Sequence, residues 1–404
     1  MNMKKIKLAA ATALLFSGLA TAPAMAADEK AQDFTTRTYN AIEINSEVLS
    51  SSQLFKYNSG LTFEYPDAVR GIFVTGHSAG GARFDSLIDL VGSTDLNAMV
   101  IDVKEDFGYL TYVPEEGSQI AEYEIGQPYI KDPRAMLERL EQEEIYPIAR
   151  VVVFKDSALA ENKPEWSFQE GGQVWKNRRG EAFVNPYMKE VWDYNVDIAI
   201  EAAKLGFKEI QFDYVRFPEG FENRADTLQY SKGEYGGDEY DGVQSRVAAV
   251  TDFVAYAHEQ LKPYDVEVSV DIFGYSATLP EAPGIGQNFS KISENVDVIS
   301  SMIYPSHWTS YFGIAKPDLE PYKLVAEYAK VENAKLGELE NPPVSRPWLQ
   351  DFTASYLGSG NYLNYGKAEV EAQIKALNDN GIEEFLLWNA GNTYSSGVDY
   401  TPNN

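Results

Sequence analysis

The chain contains no cysteine and only three histidines, His77, His258 and His307, in 404 residues. Without thiols there is no disulfide framework, no thiolate metal site and no cysteine nucleophile. Three scattered histidines argue against a multi-histidine zinc centre, and neither a metal nor another cofactor is expected. Basic residues are scarce too: 34 Lys and Arg stand against 61 Asp and Glu, a formal charge of −27. Such a surface repels phosphate backbones and anionic membranes, so neither is an expected partner. Long apolar runs are missing except near the start. There, Lys4, Lys5 and Lys7 precede the apolar stretch from Leu8 to Ala20, and Ala24-Met25-Ala26 follows. This is the pattern of a cleaved secretory signal, and it falls short of the roughly 20 apolar residues that a membrane span needs. Residues 1–26 are read as a leader, which puts the mature chain in the secreted or cell-envelope space. Losing its three Lys takes the charge to −30.

What remains abundant is carboxylate, amide and aromatic chemistry. The 26 Tyr, 20 Phe and 6 Trp supply flat faces that can pack a core or stack on sugar rings. Residues 27–69 form a polar lead-in. From residue 70 onward, short apolar runs alternate with helical spacing. The runs are Gly71–Thr75, Ala98–Val103, Tyr146–Phe154, Glu209–Asp213, Glu267–Asp271, Val296–Ile303, Arg346–Gln350 and Glu384–Trp388. They read as buried parallel strands. Eight strands with mostly helical crossovers predict one α/β domain over 70–404, a (β/α)8 TIM barrel. Only 16 residues follow Trp388, so the eighth helix is expected to be short or missing. A doubly wound open sheet is the alternative.

Barrel function gathers at the C-terminal ends of strands, where the loops converge. The second strand contributes Asp102, Lys104 and Asp106. The third contributes Arg150 near its start and Lys155 at its end. Asp213, Tyr214 and Arg216 follow from the fourth, Asp271 from the fifth, and Tyr304 with His307 from the sixth. Trp348, Gln350 and Asp351 come from the seventh, and Trp388 and Asn389 from the eighth. Two carboxyl groups flanking a glycosidic bond, one as acid and one as nucleophile or base, suffice for glycoside hydrolysis. Asp213 is singled out because an apolar strand delivers it with Arg216 close behind, a cation that would keep it ionised.

The segments Phe212-Asp-Tyr-Val-Arg-Phe-Pro218, Arg70-Gly-Ile-Phe-Val-Thr-Gly76, Ser78-Ala-Gly80 and Ala98-Met-Val-Ile-Asp-Val-Lys104 resemble a bacterial family of glycoside-hydrolase-like barrels of the DUF4015 type. The similarity runs from about Arg70 to Trp388 and extends distantly to α-amylase-type barrels. It implies a carbohydrate substrate, with Asp213 as nucleophile, Asp271 as acid and Asp351 as a supporting carboxylate. The amylase type usually carries Glu where Asp271 stands, so Asp102 or Asp106 is an alternative acid. The remaining strand-end residues named above would contact substrate. A non-catalytic glycan-binding barrel is the alternative function.

One motif points elsewhere. Gly76-His-Ser-Ala-Gly80 matches the G-x-S-x-G elbow of serine esterases. That chemistry needs a late histidine, and none follows His307. The motif is therefore read as glycines shaping the first strand-to-helix turn, with Ser78 near the mouth. The acidic run Gly236–Gly242 lacks calcium-loop spacing and is read as a surface loop.

Overall fold

The computed structural model describes residues 56–401. The proposed leader and residues 27–55 of the lead-in lie outside the described residues. Eight parallel strands close on themselves: β1 (Arg70–Val74), β2 (Ala98–Lys104), β3 (Tyr146–Val152), β4 (Glu209–Asp213), β5 (Glu267–Phe273), β6 (Val298–Met302), β7 (Trp348–Gln350) and β8 (Phe385–Trp388). β8 pairs with β1, and Trp348 of β7 pairs with Met302 of β6, which closes the ring. The fold is a (β/α)8 TIM barrel, and closure rules out the open sheet.

The main crossover helices are α1 (Arg83–Gly92), α2 (Pro133–Gln142), α3 (Lys189–Leu205), α4 (Gly242–Leu261), α5 (Phe289–Ser293), α6 (Pro321–Leu336) and α7 (Lys367–Asn378), with further short helices at Gly76–Ala79, Ser157–Asn162 and Tyr275–Thr278. Among the described residues no helix follows β8, as the short tail implied. The crossover after β5 holds only two short helical pieces, Tyr275–Thr278 and the five residues of α5. Local chemistry sets several starts and stops. Asp132 caps α2 by accepting from Ala135 N–H, with Pro133 at its first turn. Asp241, from the acidic run, caps α4 by accepting from Val243 and Gln244 N–H. Gly206 ends α3 at φ +121°, where a Cβ would meet the Leu61 side chain at 2.5 Å. No helix among the described residues is long and apolar enough to cross a membrane.

The apolar contacts divide as barrel geometry requires. One cluster fills the barrel interior, with Phe73, Val100, Ile148, Trp348 and Leu386. The other lies between strands and helices, with Leu137, Leu140, Val191, Phe253 and Ile374. At the N-terminal end the interior is polar. Arg346, before β7, is fully buried and reaches Glu209 at 2.7 Å and Glu384 at 2.7 Å. The Tyr65 hydroxyl, from the described part of the lead-in, accepts from Arg346 Nη2 at 2.6 Å and donates to Glu384. Residues 57–69 therefore cover the bottom of the barrel.

Removing one member of a buried ion cluster leaves the others unpaired, which costs about 3–5 kcal/mol. Arg346→Ala is expected to lower unfolding free energy by that amount in urea titration, and Tyr65→Phe by about 1 kcal/mol.

Candidate active site

The C-terminal half of the barrel interior is organised by Arg150, in the middle of β3 and 2% exposed. Its Nη1 donates to Asp102 Oδ1 at 2.7 Å, and its Nη2 to Asp106 Oδ1 at 2.8 Å. Nε and Nη2 both reach Asp213 Oδ2, at 3.0 and 2.6 Å. The guanidinium carbon lies 5.4 Å from the Phe73 ring and 5.5 Å from the Trp388 ring. This cation, not Arg216, is the ionic partner of Asp213. Arg216 turns away, lying 4.6 Å from the Tyr214 ring and 4.5 Å from the Phe273 ring, with Glu219 3.4 Å from its Nη2.

Asp213 accepts one further bond, from Tyr214 N–H to its Oδ1 at 2.6 Å. Tyr214 has φ +53°, a left-handed conformation uncommon for a bulky residue, and this bend aims the amide at the carboxylate. Three N–H donors on one carboxylate form an anion's environment.

Asp271 sits beside Asp213. Gln211 pairs with Ser269 and Phe212 with Val270, so the next step along β4 and β5 sets the two aspartates level. Both side chains point inward and are buried. Asp271 accepts from Trp348 Nε1 at 2.7 Å. Burial, and then the charge of Asp213, push its pKa well above the usual carboxylate range, against the pull of that indole N–H. Burial likewise lifts Asp102 to about 7, although Arg150 opposes it. Asp106 behaves oppositely: its desolvation is outweighed by Arg150 and Lys155, which hold it at about 2. Lys155 bonds Asp106 at 2.9 Å, Glu181 at 2.9 Å and the Tyr214 hydroxyl at 3.3 Å.

Of the other residues expected at the mouth, Tyr304, His307 and Trp388 form an aromatic wall. Tyr304 lies 5.2 Å from the His307 ring and 6.5 Å from that of Trp388. Trp348 is buried and serves Asp271 instead of facing substrate.

Lys104 is displaced for a clear reason. The β2–β3 register shifts between Asp102 and Lys104, a bulge that breaks the two-residue alternation. Lys104 therefore points out of the barrel, where it is fully buried against Asp156 at 2.5 Å and Asn195 of α3 at 2.9 Å. Asp351 does not join the carboxylate pair. Its oxygens accept from Ser395 N–H at 2.9 Å and the Ser395 hydroxyl at 2.6 Å. Gln350 is buried and ties Ser306, Asp318 and Phe352 together. Asn389 builds its own turn by donating to the Asp351 and Thr393 carbonyls.

Ser78 has no triad. Its hydroxyl accepts from Thr75 Oγ1 at 3.2 Å, and the His77 ring packs 3.9 Å from that of Tyr129. The flanking glycines answer to packing: a Cβ on Gly76 would meet Thr111 at 2.5 Å, and one on Gly80 the Tyr129 carbonyl at 1.8 Å.

Arg150 and Tyr214 stood in the strand-end set without a role, and Glu181 was not among the expected residues. A lone arginine inside an apolar strand was the available signal, because a buried charge must find partners.

A closed (β/α)8 barrel with paired carboxylates at its mouth defines the class of barrel glycosidases. Residues 71–394 match the family DUF4015, putative glycosyl hydrolase domain, and the chain belongs to it. No curated protein matches. Among solved structures, a hypothetical protein from Ruminiclostridium thermocellum is 31% identical, covering 50% of this chain and 96% of its own, at TM-score 0.42. The PgaB (BpsB) glycoside hydrolase domain from Bordetella bronchiseptica shares the fold at 14% identity and TM-score 0.54, covering 80% of this chain and 94% of its own. An α-amylase from Lactobacillus plantarum aligns at 14% identity and TM-score 0.49, covering 80% of this chain and 71% of its own.

Because folding raises the Asp102 pKa, its protonated form is favoured in the folded state. That contribution to stability is full below the unfolded value of about 4 and is lost as pH rises through about 7. Asp102→Asn should flatten the fall in stability across this window, as read from melting temperature against pH.

Proposed function

We propose that this chain is an exported glycoside hydrolase that cleaves a polysaccharide, with Asp213 as nucleophile and Asp271 as general acid. The observation that carries the reading is the contrast between two neighbouring carboxyls: Arg150 and the Tyr214 amide donate to Asp213, while burial and then the charge of Asp213 push the Asp271 pKa well above the usual carboxylate range. Pairs of groups driven to opposite protonation states are what acid–nucleophile chemistry requires. Asp106 is held ionised and Asp102 is tied to Arg150, so Asp271 is the better acid.

Adjacent parallel strands lie about 4.8 Å apart, which favours the roughly 5 Å carboxyl separation of retaining enzymes over the wider inverting one. Asp271 would protonate the glycosidic oxygen as the C–O bond breaks, and Asp213 would attack the anomeric carbon to form a glycosyl ester. Asp271, now anionic, would take a proton from water as that water cleaves the ester and frees Asp213. Exposed Phe107, Tyr275 and Tyr356, in the loops after β2, β5 and β7, offer faces for sugar rings. The leader pattern ending at Ala26 supports export, and the exported protein should begin at Ala27 on N-terminal sequencing.

In a glycan hydrolysis screen, Asp213→Asn and Asp271→Asn should each lower kcat by about 10²–10⁴-fold while circular dichroism shows folded protein. On a dinitrophenyl glycoside, whose leaving group needs no proton, Asp271→Asn should recover most of the first-step rate and Asp213→Asn none. Ser78→Ala should stay active. Full activity in Asp213→Asn would overturn the assignment, and glycan binding without turnover by wild type would favour a binding barrel.

A further inference from the structure

We infer that a second recognition site adjoins the carboxylate pair and takes an oxyanion substituent, a carboxylate or sulfate ester, on the glycan. The inference rests on the glycoside hydrolase reading and deepens it. A cavity of about 630 Å³ lies between the 175–183 segment, after β3, and the 216–224 segment, after β4. Tyr214 and Arg216 form its inner wall, and the Tyr214 hydroxyl is 3.3 Å from Lys155 of the catalytic network. The space therefore adjoins the mouth.

Its charge runs against the rest of the molecule. Five cations line it, Lys176, Arg178, Arg179, Arg216 and Arg224, against two carboxylates, Glu181 and Glu219. The whole chain carries 61 acids to 34 bases, so this cavity inverts the general ratio. The two carboxylates do not neutralise it. Glu181 is committed to Lys155 at 2.9 Å and Asn177 at 2.7 Å, and Glu219 is largely exposed, meeting Arg216 only at 3.4 Å. Lys176 and Arg224 pair outward with Glu161 and Glu170. Arg178 and Arg179 make no salt bridge among the described residues, and Arg179 acts on Glu181 only at longer range. Arg216 is buried, held between the Tyr214 and Phe273 rings, so its orientation is fixed before ligand arrives.

A neutral sugar has no use for such a lining. Guanidinium groups present planar donor forks that fit carboxylate and sulfate oxygens. A local cationic pocket would also draw in an anionic polymer that the field of the whole chain otherwise repels.

The test uses the full chain carrying Asp271→Asn, so that binding is read without turnover. Dextran, carboxymethyl dextran and dextran sulfate of matched length are titrated by calorimetry at low salt. At least one anionic polymer should bind about tenfold or more tighter than dextran, weakening as salt is added. Arg178→Ala/Arg179→Ala should erase most of that preference, whereas Lys323→Ala/Lys330→Ala, which removes two exposed cations on α6, should preserve it. The two anionic arms separate a carboxylate from a sulfate ligand. Equal affinity for dextran, or no effect of the arginine pair, overturns the inference. Hydrolysis by wild type is scored separately: cleavage without anionic preference removes this site and leaves the hydrolase, while anionic binding without any cleavage does the reverse.

Discussion

The mouth of this barrel depends on one buried cation. Arg150 sits in a strand whose neighbours are apolar, and a guanidinium there is tolerable only if its donors are satisfied. Asp102, Asp106 and Asp213 satisfy them from two flanking strands and one loop. Three carboxylates share that charge, with Lys155 adding a second at Asp106. The arrangement is crowded with negative charge, and burial decides which groups give it up.

The result is an ordered set of carboxyls within one cavity. Asp106, half open to solvent and touched by two cations, stays ionised. Asp102 is more buried and has a single cation. Among the described residues Asp271 has no cationic hydrogen-bond partner, only the Trp348 N–H, and it faces the charge of Asp213. The barrel repeats the theme at its other end, where Arg346 gathers Glu209, Glu384 and Tyr65. The difference is access: Arg346 is sealed beneath the lead-in, whereas the Arg150 cluster opens towards the loops after the strands.

Strand order and barrel closure were legible because each strand is a short apolar run followed by a helical spacing. The weak fifth crossover was legible for the same reason. The placement of Asp213 and Asp271 at adjoining strand ends was legible because strand ends converge. Their partners could not, since which cation reaches Asp213 depends on inward alternation and not on nearness in sequence: Arg150 is 63 residues away and Arg216 three. Lys104 was misplaced by a single-residue bulge, which leaves no mark in the apolar pattern. Trp348 and Gln350 look alike as strand-end polar groups, yet both are spent inside, one on Asp271 and the other on the Ser306 amide, the Asp318 carboxylate and the Phe352 carbonyl.

The central claim is that Asp271, buried beside the Arg150-bound Asp213, is the carboxyl that carries a proton and acts as the acid. Infrared difference spectroscopy of wild type against Asp271→Asn at pH 7 addresses it directly. The account predicts a protonated carboxyl C=O band in wild type that the substitution removes. A difference spectrum showing only the loss of ionised carboxylate bands would contradict it.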